Sequence, residues 1–314
     1  MNYTFKAIVA ALILPVSFAG SVAARPFEDA SAAYEKGDYA TALQLWRPLA
    51  EQEITRGDDI VTIINIIGAK FYLGLMYEKG WGVSQDYAAA LNWYSKAAER
   101  GAASAQVNLG LMYASGLGVQ QDYATAMSWY RKAADLGEAV AQSNIGGMYE
   151  KGRGVPQDYA MAMHWYRKAA DQGEAVAQVN LGRMYEFGQG VSQDYAMATS
   201  WYRKAADQGH VVAQNVLGYM YNNGQGVSQD YATAMNWYRK AANQGDAIAQ
   251  THLGFMYVLG QGAPQDYVTA HMWLNLAAAG GHKIAEKARD EFTTIMTPAQ
   301  IAEAQKLARE WKPK

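Results

Sequence analysis

The sequence predicts an all-α solenoid of two-helix repeats, and three observations carry that prediction. The tripeptide Gln-Asp-Tyr begins at positions 85, 121, 157, 193, 229 and 265, always 36 residues apart. A glycine behind Leu or Ile keeps the same step from Gly74 to Gly254, and a tryptophan keeps it from Trp93 to Trp273. A period of this length, held through six copies, marks an architecture in which each unit buries its apolar face on its neighbours.

Each copy holds two helical patterns. In the fourth, Glu174 to Phe187 puts Ala177, Leu181, Met184 and Tyr185 on one side, the spacing of an amphipathic helix. After a Gly-Gln-Gly turn, Tyr195, Ala198, Tyr202 and Ala205 form a second stripe. Asp194 stands where an N-cap accepts free backbone N–H groups, and Gly209 where a left-handed residue ends the helix. Gly182 and Ala198 are small enough to let the two backbones approach, which leaves Trp201 to pack on the adjoining repeat.

The ends depart from the period. Residues 32–52 read as a two-helix unit with a shorter loop, with Tyr39, Ala42 and Trp46 in the places of Tyr87, Ala90 and Tyr94. Pro48 is expected to kink its second helix or end it early. Ile60, Ile63, Ile64, Ile67 and Phe71 fit one stripe of an N-terminally extended helix, with a buried strand as the alternative for so β-branched a run. Past Gly281 a helical pattern continues. Thr297, Pro298 and Gln300 then open a last helix with a capping box, and these terminal helices are expected to cover the final exposed core face.

The segment Ala177–Gly209, "AQVNLGRMYEFGQGVSQDYAMATSWYRKAADQG", resembles the Sel-one-like repeat, a longer relative of the tetratricopeptide repeat. The resemblance spans Tyr72 to Gly281 in six copies. It implies an α/α-superhelical array whose relatives serve as scaffolds or adaptors binding other proteins. The organisation read from the chain is a signal peptide at 1–24, a tetratricopeptide-like unit at 25–53, six repeats at 54–281 and capping helices at 282–314, about seven two-helix units in all.

Hydrophobic residues make up 50% and charged residues 18% of the 314, so the chain has ample material for a core. A net charge of −2 and the lack of a basic run leave no electrostatic footprint for nucleic acid. Lys6, the apolar stretch Ala7–Phe18 and the small residues Ser21 to Ala24 predict export with cleavage after Ala23 or Ala24. That stretch is short for a membrane span, which needs roughly 20 residues; an uncleaved anchor is the alternative, and no stable span is expected after cleavage. With no cysteine anywhere, stability is expected from packing alone, and thiol chemistry, Cys-ligated metals and a lipoprotein anchor are excluded.

Groups that suggest chemistry recur in every copy, whereas a catalytic constellation is needed once. Asp86, Asp122, Asp158, Asp194, Asp230 and Asp266 therefore read as caps, and the Gly-x-Gly turns lack the longer phosphate-binding patterns. Arg167 with Asp171, and Arg203 with Asp207, are spaced to pair along a helix surface. His252, His271 and His282 lack metal-ligand spacing, and His271 fills a slot held by Met in other copies, as a packed residue would. Some exported, cysteine-rich members of the same broad family are labelled β-lactamases; this chain has neither the cysteines nor a Ser-x-x-Lys or Gly-x-Ser-x-Gly motif. No catalytic residue, cofactor or metal is assigned.

What varies between copies is a stripe on each first helix. By resemblance to tetratricopeptide arrays, it lines a concave groove that takes peptides. The fourth copy offers Val176, Val179, Arg183, Glu186 and Phe187. The second offers Val107, Leu111 and Ser115, and the third Ser143, Glu150 and Lys151. Asn215, Tyr219 and Asn223 stand in the fifth, and Thr251, Phe255 and Leu259 in the sixth. This predicts a groove that is charged in the middle and aromatic toward its C-terminal end. The plainer reading is that the stripe diverged where packing did not hold it. The expected function is thus a non-catalytic exported scaffold, periplasmic or secreted, with a protein or peptide partner. A cell-wall or β-lactam hydrolase and a secreted host-interaction factor are the alternatives.

Overall fold

Asp194 turns the fourth repeat's second helix on: its carboxylate accepts the backbone N–H of Met197 at 2.9 Å, meeting a donor that the first helical turn leaves free. The same cap recurs at Asp86, Asp122, Asp158, Asp230 and Asp266. The computed structural model describes residues 26–313, and all regular structure among them is helical. The helices are α1 Pro26–Glu35, α2 Tyr39–Ala50, α3 Ile60–Lys79, α4 Tyr87–Ala98, α5 Ala103–Ser115, α6 Tyr123–Asp135, α7 Ala139–Lys151 and α8 Tyr159–Ala170. They continue as α9 Ala175–Phe187, α10 Tyr195–Asp207, α11 Val211–Asn223, α12 Tyr231–Asn243, α13 Ala247–Leu259, α14 Tyr267–Ala279, α15 Lys283–Thr293 and α16 Pro298–Glu310. Tandem two-helix repeats make a solenoid, with α3, α5, α7, α9, α11 and α13 as first helices. The predicted signal segment 1–24 lies outside the described residues. The chain divides into two units, one ending at Ala97 and the next beginning at Ala98.

Within a repeat, glutamines close what the helices leave open. Gln193 sends its Nε2 back to the Glu186 carbonyl at 2.7 Å and to the Tyr195 hydroxyl at 3.1 Å, which explains the first letter of the Gln-Asp-Tyr motif. Gly190 has φ 71°, and a Cβ there would lie 2.9 Å from the Tyr159 carbonyl oxygen, so only glycine fits the turn. Gly209 adopts φ 88° just past α10, as the C-terminal stop requires. Buried Gln178 donates to the Ala170 carbonyl of the preceding repeat at 3.2 Å and accepts from Gln208 at 2.8 Å, so one amide joins three helix ends. Gln214 and its partners repeat the arrangement.

The packing sharpens one expectation. A Cβ on Gly182 would first meet the Tyr202 ring, at 2.8 Å, and at the equivalent Gly254 it would also come within 3.3 Å of the Ala270 carbonyl oxygen. The glycine makes room for a side chain of the second helix, and Ala198 is buried in the same cluster. Trp201 is nevertheless buried with the core, with Arg167 of the preceding repeat 5.6 Å from its ring centroid.

In the N-terminal unit, Trp46 stacks on Tyr72 at 4.4 Å with 3° between planes, inside a cluster with Tyr34 and Phe27. Pro48 does not end α2 early; the helix runs on to Ala50 and matches the 12 residues of α4. The extended helix α3 forms from its Asp59 cap, but not with the predicted stripe inward. Its core side is Ile66, Ala69, Leu73 and Met76, because Leu73 and Met76 must meet the repeat core and so fix its rotation. Ile60 and Ile64 are exposed, while Ile63, Ile67 and Phe71 are half-buried. By length and composition α3 could cross a membrane; a third of that apolar stretch is buried, and Ala69, Tyr72, Leu73 and Met76 join the cluster around Trp46.

At the C-terminal end, Thr297 and Gln300 form the predicted capping box. Both α15 and α16 pack against α14, with Trp311 edge-on to Trp273 at 6.2 Å.

Candidate partner-binding face

On a helix, residues 7 and 11 apart return to one side. In α9 that side holds Val176, Arg183 and Phe187, opposite buried Ala177, Leu181 and Met184. Large apolar side chains lie exposed on the same side of neighbouring first helices: Leu111, Val212, Tyr219, Ile248 and Leu259. The large apolar side chains of the second helices of this unit are buried or half-buried. Val212 and Ile248 stand in register with Val176, 36 and 72 residues on, and reading the repeat register along the whole helix would have found them.

Of the predicted stripe, Leu111, Lys151, Phe187, Tyr219, Asn223 and Leu259 are exposed, and Ser115 with them. Tyr219 is 43% and Phe187 61% accessible. Asn223 turns its Nδ2 to the Tyr219 carbonyl at 2.8 Å. Val179, Arg183, Glu186, Asn215 and Phe255 are half-buried. Thr251 is not on this face: it is 4% accessible, and Val107 and Ser143 are buried at the same register. The reason is the neighbouring repeat. Val179 packs toward Ala213 and Leu217 of the next first helix, and Thr251 meets His282 at the start of α15. That register faces along the array, not outward. Phe255 is likewise half covered by Ala285 and Ala288 of α15.

The charged middle is a network and not a row of free charges. Tyr166 donates to Glu150 at 2.7 Å, and Arg183 reaches back from the next repeat to the same carboxylate. Tyr202 donates to Glu186 at 2.7 Å. Burial first, then the bond to a carboxylate, pushes the hydroxyls of Tyr166 and Tyr202 well above the ordinary phenol range. These groups position the face. Gly147, in register with Leu111 and Arg183, leaves a side chain's worth of space beside the Tyr166 hydroxyl, which a Cβ there would approach to 3.4 Å.

The paired cations on the second helices do not pair as predicted. Arg167 donates to the Tyr185 hydroxyl of the next repeat at 2.5 Å, and Arg203 likewise to Tyr221; neither forms an ion pair with Asp171 or Asp207. The tyrosine at i+18 offers an acceptor at a half-buried seam, whereas the aspartate stands in water where pairing gains little. Lys132 and Lys240 lie over Trp129 and Trp237, each 3.8 Å from the ring centroid. The three C-terminal histidines are held separately: His252 on the Tyr238 ring at 4.6 Å, His271 by Thr293 at 3.1 Å and His282 by Thr251 at 2.7 Å. His271 is buried, as expected of a packed residue.

The profile of the Sel1 repeat matches six successive segments, 67–101, 103–138, 139–174, 175–210, 211–246 and 247–282. Among solved structures, c5321, described as a protective antigen present in uropathogenic Escherichia coli strains displaying an SLR fold, is 33% identical with a TM-score of 0.69. The match covers 90% of this chain, and this chain spans 64% of that one. A Sel1 repeat protein from Oxalobacter formigenes is 31% identical with a TM-score of 0.67, over 81% of this chain and 97% of the other. No curated protein matches.

Proposed function

The chain belongs to the Sel1 repeat family, whose members are generally non-catalytic scaffolds that mediate protein–protein interaction, and on that premise we propose that it is an exported scaffold holding a protein or peptide on the exposed face of its first helices. One observation carries the proposal: exposed apolar side chains line up at repeating registers on Val176, Val212, Ile248, Tyr219, Phe187 and Leu259. Packing does not require them there, and water disfavours them. An extended partner crossing successive repeats would bury them together. Tyr219 and Phe187 are the aromatic anchors, and Arg183, held by Glu150, positions the face beside them. Export rests on the N-terminal Lys6, Ala7–Phe18 and Ser21–Ala24 pattern. The likeness to a protein described as a protective antigen supports it.

The test is affinity capture from envelope and medium fractions with the wild type and a Phe187→Ala/Tyr219→Ala double variant. Loss of each anchor is expected to weaken binding by about tenfold or more, on the scale of an interface hot spot. A folded double variant that captures the same partner with undiminished affinity refutes the assignment of the face. Recovery of the mature chain only from the cytoplasm refutes export.

A further inference from the structure

Helix α15 is fastened at both ends by a histidine and a threonine. At its start, His282 Nδ1 lies 2.7 Å from the Thr251 hydroxyl on α13. At its end, Thr293 lies 3.1 Å from His271 Nε2 on α14. Proton bookkeeping assigns both rings. Thr251 already donates its one hydrogen to the Ala247 carbonyl at 2.7 Å, and Thr293 donates its own to the Arg289 carbonyl at 2.8 Å. With the hydroxyl hydrogens on those carbonyls, each hydroxyl accepts and each histidine nitrogen donates.

The two rings then differ in what acid does to them. His282 keeps its Nδ1–H in the neutral and the protonated ring. His271 carries its hydrogen on Nε2, so its Nδ1 is a bare lone pair, and that atom is buried with no hydrogen-bond partner. Protonation would put an N–H there with nothing to accept it, in a residue 3% accessible. The charged groups acting on His271 are Arg289, which opposes its protonation, and Asp290, which favours it, both on α15; α13 and α16 add none. Asp290 is already engaged by Arg289 at 2.7 Å. His252 on α13, buried against Tyr238, also resists protonation, chiefly through burial and less through His282, against a counter-effect of Asp246.

We propose that α15 is a proton-sensitive latch on the C-terminal end of the array, docked in neutral solution and released by acid, with His271 as the sensor. Burial, and then Arg289, hold the His271 pKa below its ordinary 6.5. A depressed histidine pKa leaves docking intact above 6.5 and weakens it as pH falls below that value, because the undocked ring takes up the proton first. Release would uncover Phe255, Thr251 and the apolar side of Leu274 and Ala277. The consequence for partner binding, namely that acid frees Phe255 at the register of Tyr219 on the first-helix face, rests on the reading of that face given above; the latch itself does not.

Hydrogen exchange of the full chain, corrected for the intrinsic pH dependence of amide exchange, tests the latch directly. Between about pH 7.5 and about pH 5, protection of the 283–293 amides is expected to fall by up to about 30-fold, tenfold per pH unit below the ordinary histidine value. Protection in α5 and α6, which hold no histidine, is expected to hold. His271→Gln keeps a donor toward Thr293 and cannot be protonated, so it should retain protection in acid. Unchanged wild-type protection, simultaneous loss in every helix, or equal loss in His271→Gln overturns the proposal. A nitrogen-15 spectrum of the native histidines gives a check that needs no variant: the Nε2–H tautomer at His271 is expected, and the Nδ1–H tautomer overturns it. Acid release without any change in partner affinity would leave the latch standing and count against the reading of the face.

Discussion

Two adjacent glycines in α7 invite the same substitution with opposite results. A Cβ on Gly146 would sit 2.7, 2.8 and 3.0 Å from three carbons of the Tyr166 ring. That ring is fully buried, and its hydroxyl is tied to Glu150 at 2.7 Å, so it cannot swing aside freely. Overpacking a closed core costs about 1–3 kcal/mol, and losing a hydrogen bond to a charged group adds about 1.5–3 kcal/mol if the ring yields. Alanine returns about 0.8–1.0 kcal/mol of helix propensity. Gly146→Ala should therefore destabilise by up to about 2 kcal/mol if the ring keeps its bond, and by about 1.5–5 kcal/mol if the bond is lost. At Gly147 the nearest neighbour of a new Cβ is the Tyr166 hydroxyl at 3.4 Å, ordinary contact. Only the propensity gain remains, and Gly147→Ala should stabilise by up to about 1 kcal/mol. Far-ultraviolet circular dichroism during thermal melting reads both. At about 2–4 °C per kcal/mol for a unit of this size, the two variants should fall on opposite sides of the wild type. Equal shifts, or a stabilising Gly146→Ala, would refute the claim that the repeat glycine exists to seat the tyrosine ring.

Replacing Tyr185 by Phe removes the acceptor of Arg167 at a seam between repeats and should cost about 0.5–1.5 kcal/mol in urea unfolding; no change would make that contact incidental. The Asp230 carboxyl is held below its ordinary value of 3.8, first by the Thr233 hydroxyl and then by the Thr233 backbone. A lowered carboxyl pKa contributes stability above 3.8 that is lost as pH falls through the folded value. Asp230→Asn should accordingly flatten the acid limb of the stability curve, and an unchanged limb would contradict the capping role. Phe187→Ala and Tyr219→Ala remove exposed side chains and should leave melting within about 0.5 kcal/mol of wild type. A larger loss would show that these side chains serve packing instead of a partner.

Elements were legible where one residue type answers one backbone need. Asp194 had to accept N–H groups and Gly209 had to turn left-handed, and both do. The period and the apolar stripes located every repeat helix, because burial imposes them on each copy alike. What stayed hidden was which side chain meets which. Gly182 was recognisable as a close approach, but whether it admits a backbone or a ring depends on a partner 20 residues away. Thr251 shares its helix with the exposed face and points along the array only because the next first helix stands beside it. The rotation of α3 is decided by Leu73 and Met76, so the more conspicuous isoleucines at its start had no say. The cations of α8 and α10 chose tyrosine over aspartate for the same kind of reason: an acceptor across a seam is invisible to a count of four along one helix.

Two kinds of tie recur over fixed sequence distances. Arg131 to Tyr149, Arg167 to Tyr185 and Arg239 to Tyr257 each span 18 positions, and Gln172 to Gln142 and Gln208 to Gln178 each span 30. Excising residues 175–210 would bring Tyr221 to the place of Tyr185, 18 positions after Arg167, and Gln214 to the place of Gln178, while the Arg183–Glu150 pair would be lost because Tyr219 takes the place of Arg183. Length is thus a free variable of this molecule: a gene can add or lose a module by unequal recombination and pass on an intact seam. The reach of the face, measured in modules, can then be selected without any change to the fold that carries it.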